Sequence, residues 1–397
     1  MKKKKKILFI THQCNYFVDN NASFYRMYKN LNYFHNNDKF EVYVLQPNKE
    51  SNNENKNLKK NIKTFYFKDL KIFGLRLVHF LDFNPFFILK LRQILNSYKL
   101  DLIHFDFPYG INITRLLVDF PIVYNAYNVE YTYYKEIGKY FRKIPIFLRK
   151  MYTCYIFLLE KYAVQKSNLV NAFSKDDLRE FIKIYKISKE KVFPNEMGIK
   201  SEIYQKKISK NRAKKDLNIN INKFVIIFHG FYFINDANKE AINIIKKKIA
   251  PSLKNKDILF LIAGKMPDFK DKKNIRFLGF VKDLENFLYA GDIAIVPIFR
   301  GSGVRIKMID YISANIPMIT TKKAIHGLYY QDKIHGYVIG ENVVEEMIEK
   351  ILFLKKHPEK IDFFKKNIDQ LIKKRYNWES ILSKLKRKYI ELLEKGL

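Results

Sequence analysis

Cysteine is nearly absent from this chain of 397 residues: there are two, Cys14 and Cys154, far apart and in no spaced motif. That excludes a disulfide framework and suits a reducing compartment. Long hydrophobic runs are missing as well. The most apolar stretch, 151–159, is far shorter than the roughly 20 residues of a spanning helix, and Arg149, Lys150 and Glu160 flank it. Lysines at 2–6 would suit the start of a secretory leader, but the apolar run behind them, 7–11, is only a strand long. It ends in His12-Gln13 and has no small-residue cleavage site. The expected location is cytoplasmic, with a peripheral position on the inner face of the membrane left open.

Acidic residues are scarce: 40 Asp and Glu stand against 74 Lys and Arg, a formal charge of +34. A codon bias that also enriches Asn and Ile explains part of this, but not the shortage of Glu relative to Lys. The excess favours an anionic surface, either membrane or nucleic acid. No nucleic-acid-binding motif accompanies it, so no specific nucleic acid is expected, although interleaved aromatics alone do not separate stacking platforms from cores. Repeats with periods of roughly 20 to 50 residues are also missing.

What is present is apolar material for large cores: 47% hydrophobic residues, with 34 Phe and 27 Tyr. The length exceeds one typical domain, so two cores are the default. Short β-branched runs alternate with longer helical stretches, which predicts parallel α/β layers. In the first half the predicted strands are 6–11, 40–46, 62–67, 101–105, 121–126, 168–173 and 191–193. In the second half they are 223–229, 257–263, 274–278, 292–297, 318–321 and 336–339. Two consecutive Rossmann-like sets result, joined by the polar, Lys-rich segment 198–222. Residues 48–60 read as a polar low-complexity loop. The end, 378–393, reads as an amphipathic helix with Ile381, Leu382, Leu385, Tyr389, Leu392 and Leu393 on its apolar side.

One run stands out chemically: Gly301-Ser302-Gly303-Val304-Arg305-Ile306-Lys307, followed by a helical pattern to Pro317. A short buried strand, 292–297, precedes it. Glycines let backbone approach a ligand closely, and a helix N-terminus with two adjacent cations is an anion site. An ordinary βα turn with two solvated cations carries the same pattern.

This run resembles the C-terminal motif of the retaining, nucleotide-sugar-dependent glycosyltransferases of family four, which have the GT-B fold. The likeness continues through Ile319-Thr320-Thr321 and His326-Gly327-Leu328. Weaker landmarks extend it over nearly the whole chain: Asp101 to His104, Asn128-Val129-Glu130, Ala172 to Asp176, Val192 to Asn195 with Gly198, Arg276 to Gly279, and Trp378. The resemblance implies an α/β fold of two doubly wound Rossmann-like domains facing across a cleft. An acceptor-binding domain would span 1–199, and a nucleotide-sugar-binding domain 200–377. The helix 378–397 would cross back to the first.

The same resemblance implies roles. Arg305 and Lys307 would hold the donor diphosphate and stabilise leaving-group charge. Gly230, Phe280, Val281, Gly301, Ser302, Gly303, Val304, Asp310 and Tyr127 would line the donor site, with Asp310 accepting from the ribose hydroxyls; a plain polar helix position is the other reading of Asp310. Arg26, Asn128 and Glu130 would lie on the acceptor side. The nucleotide sugar is a co-substrate, and neither a cofactor nor a metal is expected: the cations neutralise charge, and the eight histidines form no ligand cluster. Acceptor attack on the same face, with the departing phosphate as base, requires no protein nucleophile.

The chain departs from the family pattern in places. Tyr127-Asn128 stands for His-Asn, Ala22-Ser23-Phe24-Tyr25-Arg26 for Gly-Gly-x-x-Arg, and Phe231 follows Gly230 where many members have Arg. These departures keep a second class open, a non-catalytic partner or scaffold of the same fold. Finally, 139–152 and 76–92 interleave cations with aromatics, as a helix lying in an anionic membrane surface would. Rossmann helices packing aromatic stripes onto a sheet read the same way. The expected partners are thus a nucleotide sugar, a glycan or lipid-linked acceptor and an anionic membrane surface.

Overall fold

Seven of the apolar runs line up side by side: β1 (Lys5–Thr11), β2 (Phe40–Pro47), β3 (Lys63–Phe67), β4 (Leu102–Asp106), β5 (Ile122–Asn125), β6 (Leu169–Ala172) and β7 (Val192–Pro194). They form one parallel sheet in the order β3-β2-β1-β4-β5-β6-β7. In register, Ile7 pairs with Val42 on one side and Leu102 on the other. Ile7, Leu8, Phe9 and Ile10 are all 0% exposed, so β1 is covered on both faces. A doubly covered parallel strand has to read as a continuous apolar run rather than an alternating one.

Six further strands form a second parallel sheet: β8 (Phe224–His229), β9 (Ile258–Ala263), β10 (Ile275–Gly279), β11 (Ile293–Val296), β12 (Met318–Thr321) and β13 (Gly336–Ile339). Their order is β10-β9-β8-β11-β12-β13. Both sheets are doubly wound, as the periodicity predicts. Each strand order reverses once, between β1 and β4 and between β8 and β11, and ligands bind such sheets beyond the carboxyl ends at that reversal.

The structure is a computed structural model. It describes all residues except 1–2, 13–14, 18–23, 49–54, 73–74, 77, 138–144, 207, 234–235, 255, 302, 341–342 and 395–397. The chain divides into two units, Met1–Met197 with Glu379–Leu397, and Gly198–Trp378. Trp378 therefore ends the second unit, and the helix it opens (Trp378–Glu394) belongs to the first from Glu379 on. Within the first unit Tyr389 is buried, its hydroxyl 2.6 Å from Nδ1 of His104 and accepting from Asn171 at 3.2 Å. Within the second, the Trp378 indole donates to the Ile199 carbonyl at 2.7 Å, and a Cβ on Gly198 would lie 2.8 Å from the indole ring. Only glycine fits there.

Turn chemistry sets the helix starts locally. Asn84 caps the helix Pro85–Ser97, accepting from the Phe86 and Phe87 amides, and Pro85 takes the first position, where no N–H is needed. Ser174 caps Lys175–Tyr185 through the Asp177 amide at 3.1 Å. Among the described residues two elements escape the sequence pattern: the short helix Lys56–Asn61, capped by Asn55 within the stretch read as a loop, and an antiparallel hairpin of Lys71–Ile72 with Leu75–Arg76, too short to show a period. Among the described residues no helix is long and apolar enough to cross a membrane.

Candidate functional site

In the second unit, β11 runs fully buried into the loop 297–305, which turns on Gly301 (φ 102°) and Gly303 (φ 71°). Both conformations belong to the left-handed region that side chains avoid. The loop then enters the helix Ile306–Ser313, whose N-cap residue, Arg305, makes no side-chain capping bond. The Arg305 guanidinium instead points back into the loop, donating to the carbonyls of Lys323 (2.7 Å), Arg300 (2.9 Å) and Gly301 (3.3 Å). Arg300 is in turn held bidentately by Glu240 at 2.7 and 2.9 Å. Gly303 is buried and Val304 half-buried beside it; Ser302 lies outside the described residues.

Lys307 occupies a slot on the first turn of this helix. Its Nζ donates to Asn238 Oδ1 at 2.6 Å and lies 4.2 Å from the centroid of the Phe228 ring. Gly230 makes the room: a Cβ there would stand 2.6 Å from Nζ and 2.8 Å from Asn238 Cγ. Burial first, then the neighbouring Arg305, push the Lys307 ammonium down to about 7, with Asp310 opposing. Asp310, 3% exposed, receives Lys200 Nζ on one oxygen at 2.7 Å. His229 Nε2 lies 3.6 Å from the other. Burial pushes the Asp310 carboxyl above its usual range while Lys200 and Lys307 pull the other way. His229 is held well below the ordinary histidine value by burial, Lys307 and Lys200, so its ring stays neutral. Phe280 and Val281 follow β10 at the same sheet edge; Phe280 is 61% exposed, with Lys265 Nζ 5.9 Å from its ring centroid.

In the first unit, the carboxyl ends of β1, β4 and β5 carry a buried aromatic and ionisable cluster. His12 packs on Phe107 and Tyr109 at 4.6 and 4.5 Å between centroids. Phe107 holds φ 95°, a strained value for a bulky residue. Tyr127, half-buried, stacks on Phe107 at 4.9 Å, and its hydroxyl lies 3.4 Å from Asp106. Tyr109 donates to Glu130 Oε2 at 2.8 Å, and half-buried Asn128 supports the same carboxyl. Burial and the nearby Glu160 push Glu130 up to about 8. Glu160, wholly buried, accepts from the Glu130 and Tyr131 amides and from the Tyr124 and Tyr185 hydroxyls; burial pushes it up to about 6. His79 sits between Tyr134 and Tyr152, lowered to about 4 by burial.

Arg26, expected on the acceptor side, is corrected by the structure. It is 0% exposed, and its two terminal nitrogens donate to the carbonyls of Asn195 and Ala126, each at 2.7 Å. Its guanidinium lies between the Tyr127 and Phe173 rings at 4.4 and 4.5 Å. Arg26 braces the strand ends from inside; no surface remains for a ligand.

Residues 223–357, within the second unit, match the family of glycosyl transferases group 1. No curated protein sequence matches the chain. Solved structures match over nearly its full length, at identities that bear on fold alone. Sucrose-phosphate synthase from Thermosynechococcus elongatus is 12% identical with a TM-score of 0.74, covering 99% of this chain and 100% of its own. Anabaena HepE in complex with UDP is 14% identical with a TM-score of 0.70, covering 97% and 100%. A glycosyltransferase from Rickettsia africae is 15% identical with a TM-score of 0.70, covering 99% and 100%. The architecture is GT-B.

In the second unit the structure brings Gly230, Gly301, Gly303, Val304, Arg305, Lys307 and Asp310 to one end of the second sheet. Tyr127, Asn128 and Glu130 gather at the corresponding end of the first. Sequence reading missed Asn238, Lys200, His12, His79, Tyr109 and Glu160. A signal existed for one: Glu160 closes an otherwise apolar stretch, where a lone carboxylate needs buried partners.

Proposed function

We propose that the protein is a retaining glycosyltransferase that moves a sugar from a nucleoside-diphosphate sugar to a glycan or lipid-linked acceptor, in cell-surface polysaccharide or glycolipid synthesis. The observation that carries this reading is the glycine loop with left-handed Gly301 and Gly303, entering a helix without a side-chain cap beside Arg305 and Lys307. The backbone amides at a helix start, the helix dipole and two cations suit a diphosphate. Anabaena HepE, of like fold, has been crystallised with UDP and with UDP-glucose.

In this reading Lys307 and the loop amides hold the diphosphate and stabilise it as it leaves, which makes a metal unnecessary. Phe280 and Val281 offer a face for the base, and Asp310 the ribose contact. Tyr127, Asn128 and Glu130 serve the acceptor side. The departing phosphate takes the acceptor proton.

A peripheral position on an anionic membrane belongs to the same proposal. The helix Ile146–Lys166 exposes Phe147 (65%), Met151 (54%), Leu158 (46%) and Tyr162 (53%) along one stripe. Lys150 and Lys161 flank the stripe, which suits an anionic lipid surface. Arg142 and Lys143, expected to share this role, lie outside the described residues.

Calorimetric titration with UDP, GDP and ADP tests the reading, with Lys307→Met as control. Binding of one nucleotide, lost in the variant, supports a donor site and selects the sugars to assay for transfer. Failure of all three to bind sinks it and favours the non-catalytic scaffold.

A further inference from the structure

We propose that Asn238 is a positioning residue of the donor site: through its hydrogen bond to Lys307 it sets whether that lysine meets a diphosphate as a cation, so that donor binding takes up a proton. This rests on the reading that the Gly301–Lys307 region holds a diphosphate.

The slot around Lys307 comes from three elements. Phe228 and Gly230 close the end of β8, Asn238 projects from the helix Asp236–Ile244, and Lys307 stands on the helix Ile306–Ser313. Asn238 is 8% exposed, and its Nδ2 donates to the Phe231 carbonyl at 3.2 Å. That bond orients the amide, so Oδ1, an acceptor, faces Lys307 at 2.6 Å. With Gly230 leaving no Cβ to intervene, the ammonium is fixed between a ring face and a neutral acceptor.

The charges facing Lys307 leave it unneutralised. Arg305, from the loop, repels it. Asp310, on its own helix, is ion-paired to Lys200. His229, at the end of β8, is kept neutral. Asn238 supplies a dipole where a carboxylate would have supplied a charge. The slot thus holds a lysine ready in position and close to losing its proton, pushed down to about 7 by burial and Arg305. A diphosphate brings the missing negative charge and favours the protonated form. Affinity is then complete below about pH 7 and falls as pH rises through it, by up to about tenfold per pH unit.

The test is calorimetry on the full chain with the tightest binder of UDP, GDP and ADP, from about pH 6 to 9, for wild type, Asn238→Asp and Asn238→Leu, with melting temperatures recorded for each. Ligand phosphate titration is common to all three, so differences between them carry the result. In the wild type, affinity should fall above about pH 7, and the binding heat should depend on buffer ionisation, the mark of proton uptake. Asn238→Asp places a carboxylate on Lys307 and should move the fall upward by about one unit or more. Asn238→Leu removes the acceptor and should move it downward. If Asn238→Leu does not fold, the Asp variant alone decides. Tight binding with the same pH midpoint in wild type and Asn238→Asp overturns the inference and leaves the donor site standing. Binding of none of the nucleotides even at about pH 6, where Lys307 is charged, overturns the donor-site reading itself.

Discussion

Glu160 caps the helix that begins at Glu130: its two oxygens accept the Glu130 and Tyr131 amide protons at 3.0 and 2.9 Å. One buried carboxylate thereby satisfies helix N-terminal donors and holds a second carboxyl, that of Glu130, against Tyr109. Such a pair shares protons, and its titration belongs to both groups.

Stability of the first unit should therefore fall as pH rises. Both carboxyls are pushed above the ordinary glutamate value, Glu130 to about 8 and Glu160 to about 6. The folded state then binds protons that the unfolded chain has released, so the pair's contribution is full below about pH 4.5 and is lost as pH rises toward 8. The slope is at most about 1.4 kcal/mol per pH unit for each group. Urea unfolding at several pH values should show it, and Glu130→Gln should flatten it; a stability that rises across that range would contradict the assignment.

Glu160→Ala should cost at least about 3 kcal/mol, because amide and hydroxyl donors lose their acceptor at about 1–3 kcal/mol each. Glu160→Gln, which keeps an acceptor oxygen, should lose less. Equal stabilities for the two variants would mean that the cap contributes nothing.

Lys200→Met should leave the Asp310 carboxylate buried without its 2.7 Å partner and cost about 3 kcal/mol. Adding Asp310→Asn should restore more than half of that loss. A double-mutant cycle by denaturant titration reads the coupling, and strict additivity would show that the pair is not coupled.

Arg305→Lys conserves charge but not the fork that reaches three loop carbonyls. Nucleotide affinity should drop about tenfold, equivalent to about 1.4 kcal/mol. Protease sensitivity of the loop 297–305 should rise as well. Unchanged affinity would mean that the bracing is dispensable.

Replacing Lys150 and Lys161 with glutamine should weaken binding to vesicles of anionic lipid by about tenfold or more, at about 1 kcal/mol per lost cation. Vesicles of phosphatidylcholine should show no such difference. Equal binding of wild type and variant to anionic vesicles removes the membrane surface from the proposal.

The inner strands of the two sheets lay open in the sequence because a parallel strand buried on both faces needs an unbroken apolar run, whoever its neighbours are. Edge strands such as Lys63–Phe67 and Ile275–Gly279 are only half-buried and were read from their β-branched and aromatic content. The glycine loop was legible for a similar reason: backbone at φ 102° and 71° strongly favours glycine, a preference written into the local sequence. The tertiary structure alone decided which side of each polar residue faces what. Arg26 carries the same sequence signal whether it meets a ligand or two buried carbonyls, and only packing put it against Asn195 and Ala126. Lys307 meets Asn238, Asp310 meets Lys200, and Glu160 meets the amide of Glu130 because separate helices and strand ends converge at a sheet edge. Periodicity and turn chemistry are local properties of the chain. Hydrogen-bond partners and proton affinities depend on distances between remote segments, and those exist only once the sheets have assembled.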